Sequence, residues 1–195
     1  MGKLQLKGSS KIVADYFEFA INTILFQRGI YPQEDFISVR KYGLSVVVSD
    51  DDEVKQYIAK IMHQLKRWVY SKKMSKLVVA IILKSLGETH ERWEFDLDVT
   101  SDDDDVDVRP ISEVQRDIQA IVRQITSSVS FLPVLDNDDY TFNVLTYTAQ
   151  NIPVPLDWAD AKDPAVDGKA ENVDFCGFDT NLHHVGTKVV YKLRD

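Results

Sequence analysis

Residues 76–84 read Lys-Leu-Val-Val-Ala-Ile-Ile-Leu-Lys, an unbroken apolar run between two lysines. Such a run is typical of a strand buried on both faces, because a strand with one wet face would alternate apolar and polar residues. It is much shorter than the roughly 20 apolar residues that cross a membrane. The run therefore predicts the central strand of a sheet, and the flanking segments are expected to pair with it or to cover it.

Three further segments have the pattern of strands. Residues 92–98 alternate, so every second side chain is apolar and is expected to face inward. The side chains between them are expected to face solvent: Arg92, Glu94, Asp96 and Asp98. Residues 140–148 and 185–193 also predict strands. The second of these places five side chains on one face: Val185, Thr187, Val189, Tyr191 and Leu193.

Three segments have the periodicity of helices, namely residues 9–28, 54–69 and 111–130. The first is apolar around most of its circumference and is expected to be buried, with Ser9 or Ser10 capping its start. The third is expected to bury a single stripe: Val114, Ile118, Ile121, Val122, Ile125 and Val129.

Between the first two helices, residues 36–48 predict a hairpin that turns at Gly43. Four consecutive acidic residues, 50–53, follow the hairpin. Carboxylates at the start of a helix accept hydrogen bonds from its free N–H groups and interact favourably with its dipole. This acidic run therefore marks the start of the second helix.

Residues 149–184 have no clear period and contain three prolines and two glycines. A stretch of this length without regular structure is rare inside a compact domain, so it is either disordered or a functional lid or strap. Three aromatic side chains, Trp158, Phe175 and Phe178, favour a strap, because large apolar groups need a surface on which to pack.

The composition excludes several classes of function. The 195-residue chain is 44% hydrophobic and has a formal net charge of −8. That charge argues against non-specific binding to nucleic acid, which requires a basic surface. The N-terminal residues lack the apolar stretch of a signal peptide. The single cysteine, Cys176, excludes an internal disulfide, so a reducing compartment, cytosol or nucleus, is expected.

A thiol nucleophile is one interpretation of Cys176, since Asp179, His183 and His184 follow it closely and a histidine could act as the base. Nothing in the pattern positions these groups, and no glycine-rich turn accompanies them to bind an oxyanion. The pattern therefore favours the simpler interpretation of Cys176 as a small apolar group.

The sequence predicts neither a metal nor a cofactor. A zinc site needs four well-spaced nitrogen or sulfur ligands, and the chain has one cysteine and four histidines. The acidic run at residues 102–107 lacks the spacing of a calcium loop and is interpreted as a solvated loop. The glycine-rich loop that binds phosphate groups is absent from the sequence.

Two features indicate binding to other proteins. Between Ile118 and Leu135 the only charged residue is Arg123, and the aromatic Phe131 lies nearby. Such a face is typical of an interface, although burial of both sides of the helix within the domain would give the same composition. The strand at residues 140–148 has no Pro or Lys to block its edge, so it can accept another strand unless an internal strand covers it.

Several stretches carry a resemblance to a known family. Three of them are residues 22–32, Asn-Thr-Ile-Leu-Phe-Gln-Arg-Gly-Ile-Tyr-Pro; residues 121–126, Ile-Val-Arg-Gln-Ile-Thr; and residues 129–133, Val-Ser-Phe-Leu-Pro. Further matches lie at residues 7–14, 41–44, 91–96, 178–180 and 189–192. Together they resemble the HORMA domain, and among HORMA domains the mitotic arrest deficient (number two) family of the spindle assembly checkpoint.

This resemblance implies a single α+β HORMA domain over residues 1–195. Its core, about residues 8–148, would have three helices packed on a mainly antiparallel sheet, followed by a mobile C-terminal safety belt, about residues 149–195. In the family's open state the belt covers the edge of the strand at 140–148. In the closed state its end pairs with the strand at 92–98. A short N-terminal strand is then displaced, and a ligand peptide is trapped under the belt.

The resemblance also implies roles for particular residues. The peptide would pair with a strand edge formed by Thr141, Phe142, Asn143, Val144, Leu145, Thr146 and Tyr147. Belt residues expected to hold it are Trp158, Phe178, Val185, Val189 and Tyr191. Dimerisation is expected through Arg123, Gln124 and Phe131. The N-terminal strand would contain Leu4 and Leu6, and Thr187 is a candidate phosphorylation site.

The function implied by the resemblance is that of a checkpoint protein that switches between conformers, with neither enzymatic activity nor a cofactor. Its expected partners are the coiled-coil checkpoint partner, the cell-division-cycle activator of the anaphase-promoting complex, the checkpoint kinase-like subunit of the mitotic checkpoint complex, a HORMA-like silencing factor, a AAA+ remodelling ATPase and a second copy of itself in an open–closed dimer. Nucleic acid and membranes are not among them. The expected locations are nucleus, kinetochore and cytoplasm. Two alternatives remain, a HORMA adaptor subunit of a translesion DNA polymerase and a thiol hydrolase that uses Cys176.

Overall fold

The computed structural model describes residues 2–41, 43–101, 106–135 and 139–194, and the backbone alone for residues 2–4. Most of the acidic run at residues 102–107 therefore lies outside the described residues. The described α-helices are α1 (Gly2–Gln27), α2 (Asp52–Tyr70) and α3 (Ile111–Ser127). The strands are β1 (Phe36–Lys41), β2 (Leu44–Ser49), β3 (Met74–Leu83), β4 (Glu88–Val99), β5 (Tyr140–Thr148), β6 (Ala170–Asp174), β7 (Phe178–Asp179) and β8 (His183–Lys192).

The main sheet has the strand order β5-β3-β4-β8-β6, with β7 also paired to β8, and every pairing is antiparallel. The apolar run quoted above is β3, which pairs with β4 on one side and with β5 on the other. Val79, near its middle, lies opposite Trp93 and Val144. The predicted central strand and the predicted α+β class are confirmed.

Helix α1 lies at the centre of the core and packs against α2, α3 and the β1–β2 hairpin. Its residues Val13, Tyr16 and Phe17 have no exposed surface, as the apolar circumference predicted. The hairpin turns at Gly43, whose φ of 69° is in the left-handed region that favours glycine. The start of α2 is capped by Asp51, whose carboxylate accepts a hydrogen bond from the Val54 N–H at 2.9 Å.

The start of α1 differs from the sequence-based expectation. Leu4 and Leu6 lie in the helix, which begins earlier than residue 9. The resemblance implies that the N-terminal strand is displaced when the belt pairs with β4, so a strand at these residues stays a prediction for the other conformer. Ser9 does not cap the helix, because its hydroxyl is buried and bonds to Thr180 at 2.6 Å and to His183 at 2.7 Å. These partners come from the C-terminal part of the chain. The first turns of the helix therefore pack against residues that are distant in sequence.

The end of α3 also differs from the expectation. A short 3-10 helix at residues 128–130 follows α3 and turns the chain more tightly than an α-helix would. Val129, expected in the buried stripe, is therefore 42% exposed, and Ser128 is buried in its place. The Ser128 hydroxyl donates to the Ile125 carbonyl at 2.6 Å, which satisfies it in the interior.

Part of the outer face of β4 is covered, although alternation predicted that it would face solvent; Asp98, further along the strand, is exposed as predicted. Arg92 and Glu94 are only 7% and 6% exposed. The covering segment comes from residues 149–184, which also contribute β6 and β7. The irregular stretch is thus partly regular, and it hides charged residues that the local pattern placed in water.

Candidate functional site

The main sheet ends in β5 on one side and in β6 on the other, and the predicted binding strand is β5. Among the described residues, β5 pairs with β3 and with no other strand. In an antiparallel strand, alternate residues direct their N–H and C=O groups away from the paired neighbour. The predicted edge residues 141–147 therefore offer a row of backbone donors and acceptors to an added strand.

The edge strand is fixed in place by aromatic packing. Phe142 is buried, and its ring lies 5.6 Å from that of Tyr57 on α2 and 6.2 Å from that of Tyr31. Both contacts have the edge-to-face arrangement favoured by aromatic quadrupoles. The edge is therefore held against the helical layer before any ligand arrives.

The chain leaves β5 and crosses in front of this edge without pairing with it. We call residues 149–169 the crossing loop. At its start the Ala149 N–H donates to the Lys73 carbonyl at 2.8 Å. In its middle the Trp158 ring packs edge-on against Trp68 of α2 at 5.0 Å. At its end the Asp167 N–H donates to the Thr89 carbonyl of β4 at 3.0 Å. The loop thus passes from the helical side of the sheet, around β5, to the opposite side.

Two cavities lie between β5 and the crossing loop. The first, about 330 Å³, is bounded by α2, Val144 of β5 and loop residues that include Trp158. The second, about 230 Å³, lies between residues 144–147 and residues 158–163. Because successive side chains of an extended peptide point to opposite faces, a strand added to β5 would direct alternate side chains towards these two spaces.

The last strand, β8, fixes the position of the chain that follows the crossing loop. β8 pairs with β4 over nine residue pairs, from Glu91–Tyr191 to Val99–His183. The inward side chains of β8 are buried: Val185, Thr187, Val189 and Tyr191. Phe178, just before it, packs against Tyr16 at 5.0 Å. This pairing of β8 with β4 is the arrangement that the resemblance implies for the closed state.

The candidate phosphorylation site faces the core. Thr187 is 4% exposed, and its hydroxyl lies 2.7 Å from the Tyr16 hydroxyl. Burial raises the pKa of Tyr16, so this pair remains neutral. While β8 is paired in this way, Thr187 is inaccessible to an enzyme that modifies hydroxyl groups.

His183, at the start of β8, is buried and neutral. Its Nδ1 lies 2.7 Å from the Ser9 hydroxyl, and its Nε2 is buried without a hydrogen-bond partner among the described residues. Burial, and secondarily the charge of Lys72, lowers the pKa of His183 to about 4. This imidazole therefore resists protonation until well below its usual range.

We predict that acid destabilises this arrangement through His183. In the unfolded chain the histidine protonates near pH 6.5, but in the folded chain only near pH 4, so the unfolded state binds more protons between these values. The free energy of unfolding should fall as the pH decreases through this window, by up to about 3 kcal/mol. Urea denaturation between pH 7.5 and about 4 measures this. His183→Asn should flatten the dependence and exposed His184→Asn should not; an unchanged dependence in His183→Asn would contradict the assignment.

The predicted dimerisation residues lie at the surface near the C-terminal end of α3. Arg123 is exposed, and Phe131 is 43% exposed with its ring 6.3 Å from that of Tyr191. Gln124 is half-buried, and its side-chain carbonyl accepts the Cys176 N–H at 2.8 Å. The charge-poor face is therefore open to solvent, and the alternative that both sides of this helix are buried is wrong.

The described contacts do not join Cys176 to a histidine; His184 Nδ1 instead lies 3.6 Å from the Asp179 carboxylate. The Cys176 thiol accepts a hydrogen bond from the Gln124 side chain at 3.3 Å, whereas His183 is bonded to Ser9. The described residues contain no group of three or more His, Cys, Asp or Glu side chains that could hold a metal ion. None of the described helices is long and apolar enough to span a membrane.

A charged cluster on the outer face of the sheet was missed by sequence reasoning. The Arg92 guanidinium donates to Glu94 at 2.6 Å, to the Tyr147 hydroxyl at 3.0 Å, to the Pro164 carbonyl at 3.0 Å and to the Asp163 carboxylate. Glu94 is also paired with Lys188 of β8 at 2.9 Å. Burial opposes the charged form of Glu94, but the hydrogen bonds from Lys188 and Arg92 outweigh it and lower its pKa. The cluster joins β4, β5, β8 and the crossing loop, and no local pattern signals it.

Comparison with known proteins shows which family has this architecture. The HORMA domain family model matches residues 9–183. The chain is 47% identical to the mitotic spindle checkpoint component mad2 of Schizosaccharomyces pombe, over 96% of this chain and 94% of that protein. It is 40% identical to the human mitotic spindle assembly checkpoint protein MAD2A, over 97% and 93% of the two chains.

Comparison with solved structures gives the same family. A chain in the crystal structure of a mitotic checkpoint complex superposes with a TM-score of 0.86 at 47% identity, covering 95% of this chain and 99% of that one. The Caenorhabditis elegans protein HTP-2, bound to the HIM-3 closure motif, has a TM-score of 0.79 at 13% identity, covering 94% and 90%, and shares the fold alone. The chain belongs to the HORMA-domain family, in its Mad2 spindle checkpoint branch.

Proposed function

We propose that this protein is a spindle assembly checkpoint protein that traps a peptide between β5 and the crossing loop and thereby delays anaphase. The observation that carries this proposal is the unpaired edge of β5, enclosed by a loop whose far end is locked by the pairing of β8 with β4. An extended peptide would add a strand to β5 through backbone hydrogen bonds, with apolar side chains in the two cavities.

Switching follows from the position of the last strand. In the proposed function the structure corresponds to the closed conformer, with residues 149–195 as the safety belt and residues 8–148 as the core of a single domain. In the open conformer β8 would leave β4 and the belt would cover the β5 edge. The two packings must differ by only a few kcal/mol for a ligand to choose between them. Leu4 and Leu6 would form a strand in the open conformer.

The proposed ligands are peptides of the anaphase-promoting-complex activator and of the coiled-coil checkpoint partner. The high similarity to a chain of a mitotic checkpoint complex supports this choice. The kinase-like checkpoint subunit, the silencing factor and the AAA+ ATPase complete the proposed set of partners. Kinetochore, nucleus and cytoplasm are the proposed locations.

The proposed role is that of a binding protein rather than an enzyme. Binding by strand addition and enclosure requires no reacting group, and the Cys176 thiol is bonded to Gln124 and not to a histidine. The relatives that match nearly the whole chain are spindle checkpoint proteins, so the comparisons do not favour a translesion polymerase subunit.

Ion-exchange chromatography tests the proposed function. The purified protein is run before and after one day with a labelled peptide from the anaphase-promoting-complex activator. We expect two separable monomeric forms that convert slowly into one peptide-bound form, because many ladder hydrogen bonds must break before others form. A single form that never retains the peptide would contradict the proposal.

We predict that Arg123→Glu abolishes self-association and leaves peptide trapping intact. Arg123 is exposed on a face of α3 that is otherwise poor in charge, so reversing its charge disrupts a shared surface without disturbing the core. Analytical ultracentrifugation of the peptide-bound protein measures the effect. Arg116→Glu, an exposed arginine nearer the start of the same helix, is the control. Loss of trapping in a folded Arg123→Glu protein would overturn the assignment.

A further inference from the structure

The crossing loop is attached to the rest of the described chain by few backbone hydrogen bonds. They lie at its two ends, where Ala149 donates to Lys73 at 2.8 Å, Asp167 donates to Thr89 at 3.0 Å and Lys169 accepts from Leu193 at 2.8 Å. Between these points the described backbone bonds are local, as from Trp158 to Pro155 at 2.9 Å. The middle of the loop is therefore held by its side chains and by contacts to its carbonyl groups.

One of these attachments is a buried arginine. Arg92 projects from β4, and its guanidinium binds both the Asp163 carboxylate and the adjacent Pro164 carbonyl. Its side chain is 9% exposed and that of Asp163 is 59% exposed. Glu94 and Tyr147 hold the other guanidinium nitrogens at 2.6 and 3.0 Å, which fixes the orientation of the fork. The oriented Arg92 guanidinium thus binds the crossing loop at Asp163 and Pro164, after the loop has passed around the β5 edge.

The attachment of β8 is much more extensive. Nine residue pairs join it to β4, and its inward side chains are buried in the core. A peptide under the crossing loop can dissociate by two routes. In one, β8 separates from β4; in the other, the middle of the loop moves away from the sheet while β8 stays paired. Lifting the loop breaks the contacts of Arg92 with Asp163 and Pro164 and the packing of Trp158 on Trp68. It leaves the nine-residue ladder intact, so it disrupts fewer interactions.

We propose that Arg92 and Asp163 form a latch that sets how long a peptide stays bound, by controlling local lifting of the crossing loop. This inference rests on the proposed peptide trapping. Arg92 acts on the peptide through the loop and is a positioning residue. Release through the latch does not require conversion of the closed conformer to the open one.

The test compares release of a fluorescein-labelled activator peptide, chased with unlabelled peptide, from the wild type and from Asp163→Ala. We expect release to be about fivefold faster in the variant, the effect of losing one partly exposed charged contact. The conversion of closed to open protein, followed by ion exchange without peptide, should keep its wild-type rate. Lys162→Ala, at the exposed neighbouring residue, is the control and should release the peptide like the wild type.

Two further readouts separate a latch from a general loosening of the fold. Asp163→Glu should restore most of the slow release, because it returns a carboxylate to the guanidinium. Raising the salt concentration should speed release from the wild type more than from Asp163→Ala, since salt screens an ion pair of which the Asp163 partner is exposed. Two outcomes would refute the latch in a wild type that retains peptide. In the first, Asp163→Ala releases the peptide at the wild-type rate. In the second, Asp163→Ala accelerates peptide release and conformer conversion by the same factor. A wild type that retains no peptide would instead refute the proposed function.

Discussion

Replacing Glu91 by alanine is expected to lower the free energy of unfolding by about 3–5 kcal/mol. Glu91 accepts hydrogen bonds from Arg28 at 2.8 and 2.5 Å and from the Trp93 indole at 3.1 Å. The side chains of Arg28 and Glu91 are only 5% and 2% exposed. Without Glu91 the guanidinium remains buried beside the Pro133 carbonyl with no opposing charge, which is why the expected cost is large.

Urea denaturation followed by tryptophan fluorescence measures this effect. Asp98→Ala, an exposed acid on the same strand, is the matched control and should change stability by less than about 0.5 kcal/mol. A double variant, Arg28→Met with Glu91→Leu, should be more stable than Glu91→Ala, because it leaves no buried charge unpaired. If Glu91→Ala costs less than about 1 kcal/mol, the ion pair does not have the role assigned to it.

Thr187→Asp is expected to prevent β8 from docking against β4. The Thr187 side chain is 4% exposed and lies beside Tyr16, so a carboxylate there would be buried without a cationic partner. Burying an uncompensated charge costs at least about 3 kcal/mol, enough to reduce the docked population more than a hundredfold. Retention of the labelled activator peptide on a desalting column measures the loss, which we expect to be nearly complete.

Two variants show whether this effect comes from the buried charge. Thr187→Val keeps the shape but leaves the Tyr16 hydroxyl without its partner, at a cost of about 1–3 kcal/mol, so it should trap peptide more weakly than the wild type but better than Thr187→Asp. Thr126→Asp introduces the same group at an exposed position of α3 and should trap peptide normally. If Thr187→Asp traps as well as Thr126→Asp, then a phosphate on Thr187 is not expected to block closure either.

Some parts of the fold follow from local sequence. The apolar run of β3 identified the central strand because continuous burial leaves no wet face. The start of α2 was identified correctly because a carboxylate in the right place satisfies the free N–H groups of the first turn. The free edge of β5 was indicated by residues that do nothing to block it.

Other features required contacts between distant parts of the chain. Ser9 was expected to cap α1 but lies inside the helix, because residues more than 170 positions away supply its hydrogen-bond partners. Arg92 and Glu94 were expected in water but are covered, because the crossing loop returns over the outer face of β4. The composition of α3 was compatible with one exposed face or with burial on both sides, and only the folded chain shows that one face is exposed.

Local sequence predicted the three helices, the central strand and a strand whose edge carries no Pro or Lys to block it. The folded chain alone shows that β8 pairs with β4, that the crossing loop passes around the free edge of β5 and that Arg92 binds this loop. The physical reason is that helical and strand periodicity are properties of neighbouring residues. The pairing of β8 and the burial of Arg92 instead depend on which distant segment reaches the same surface, and the local pattern of these residues is compatible with either a covered or an exposed position.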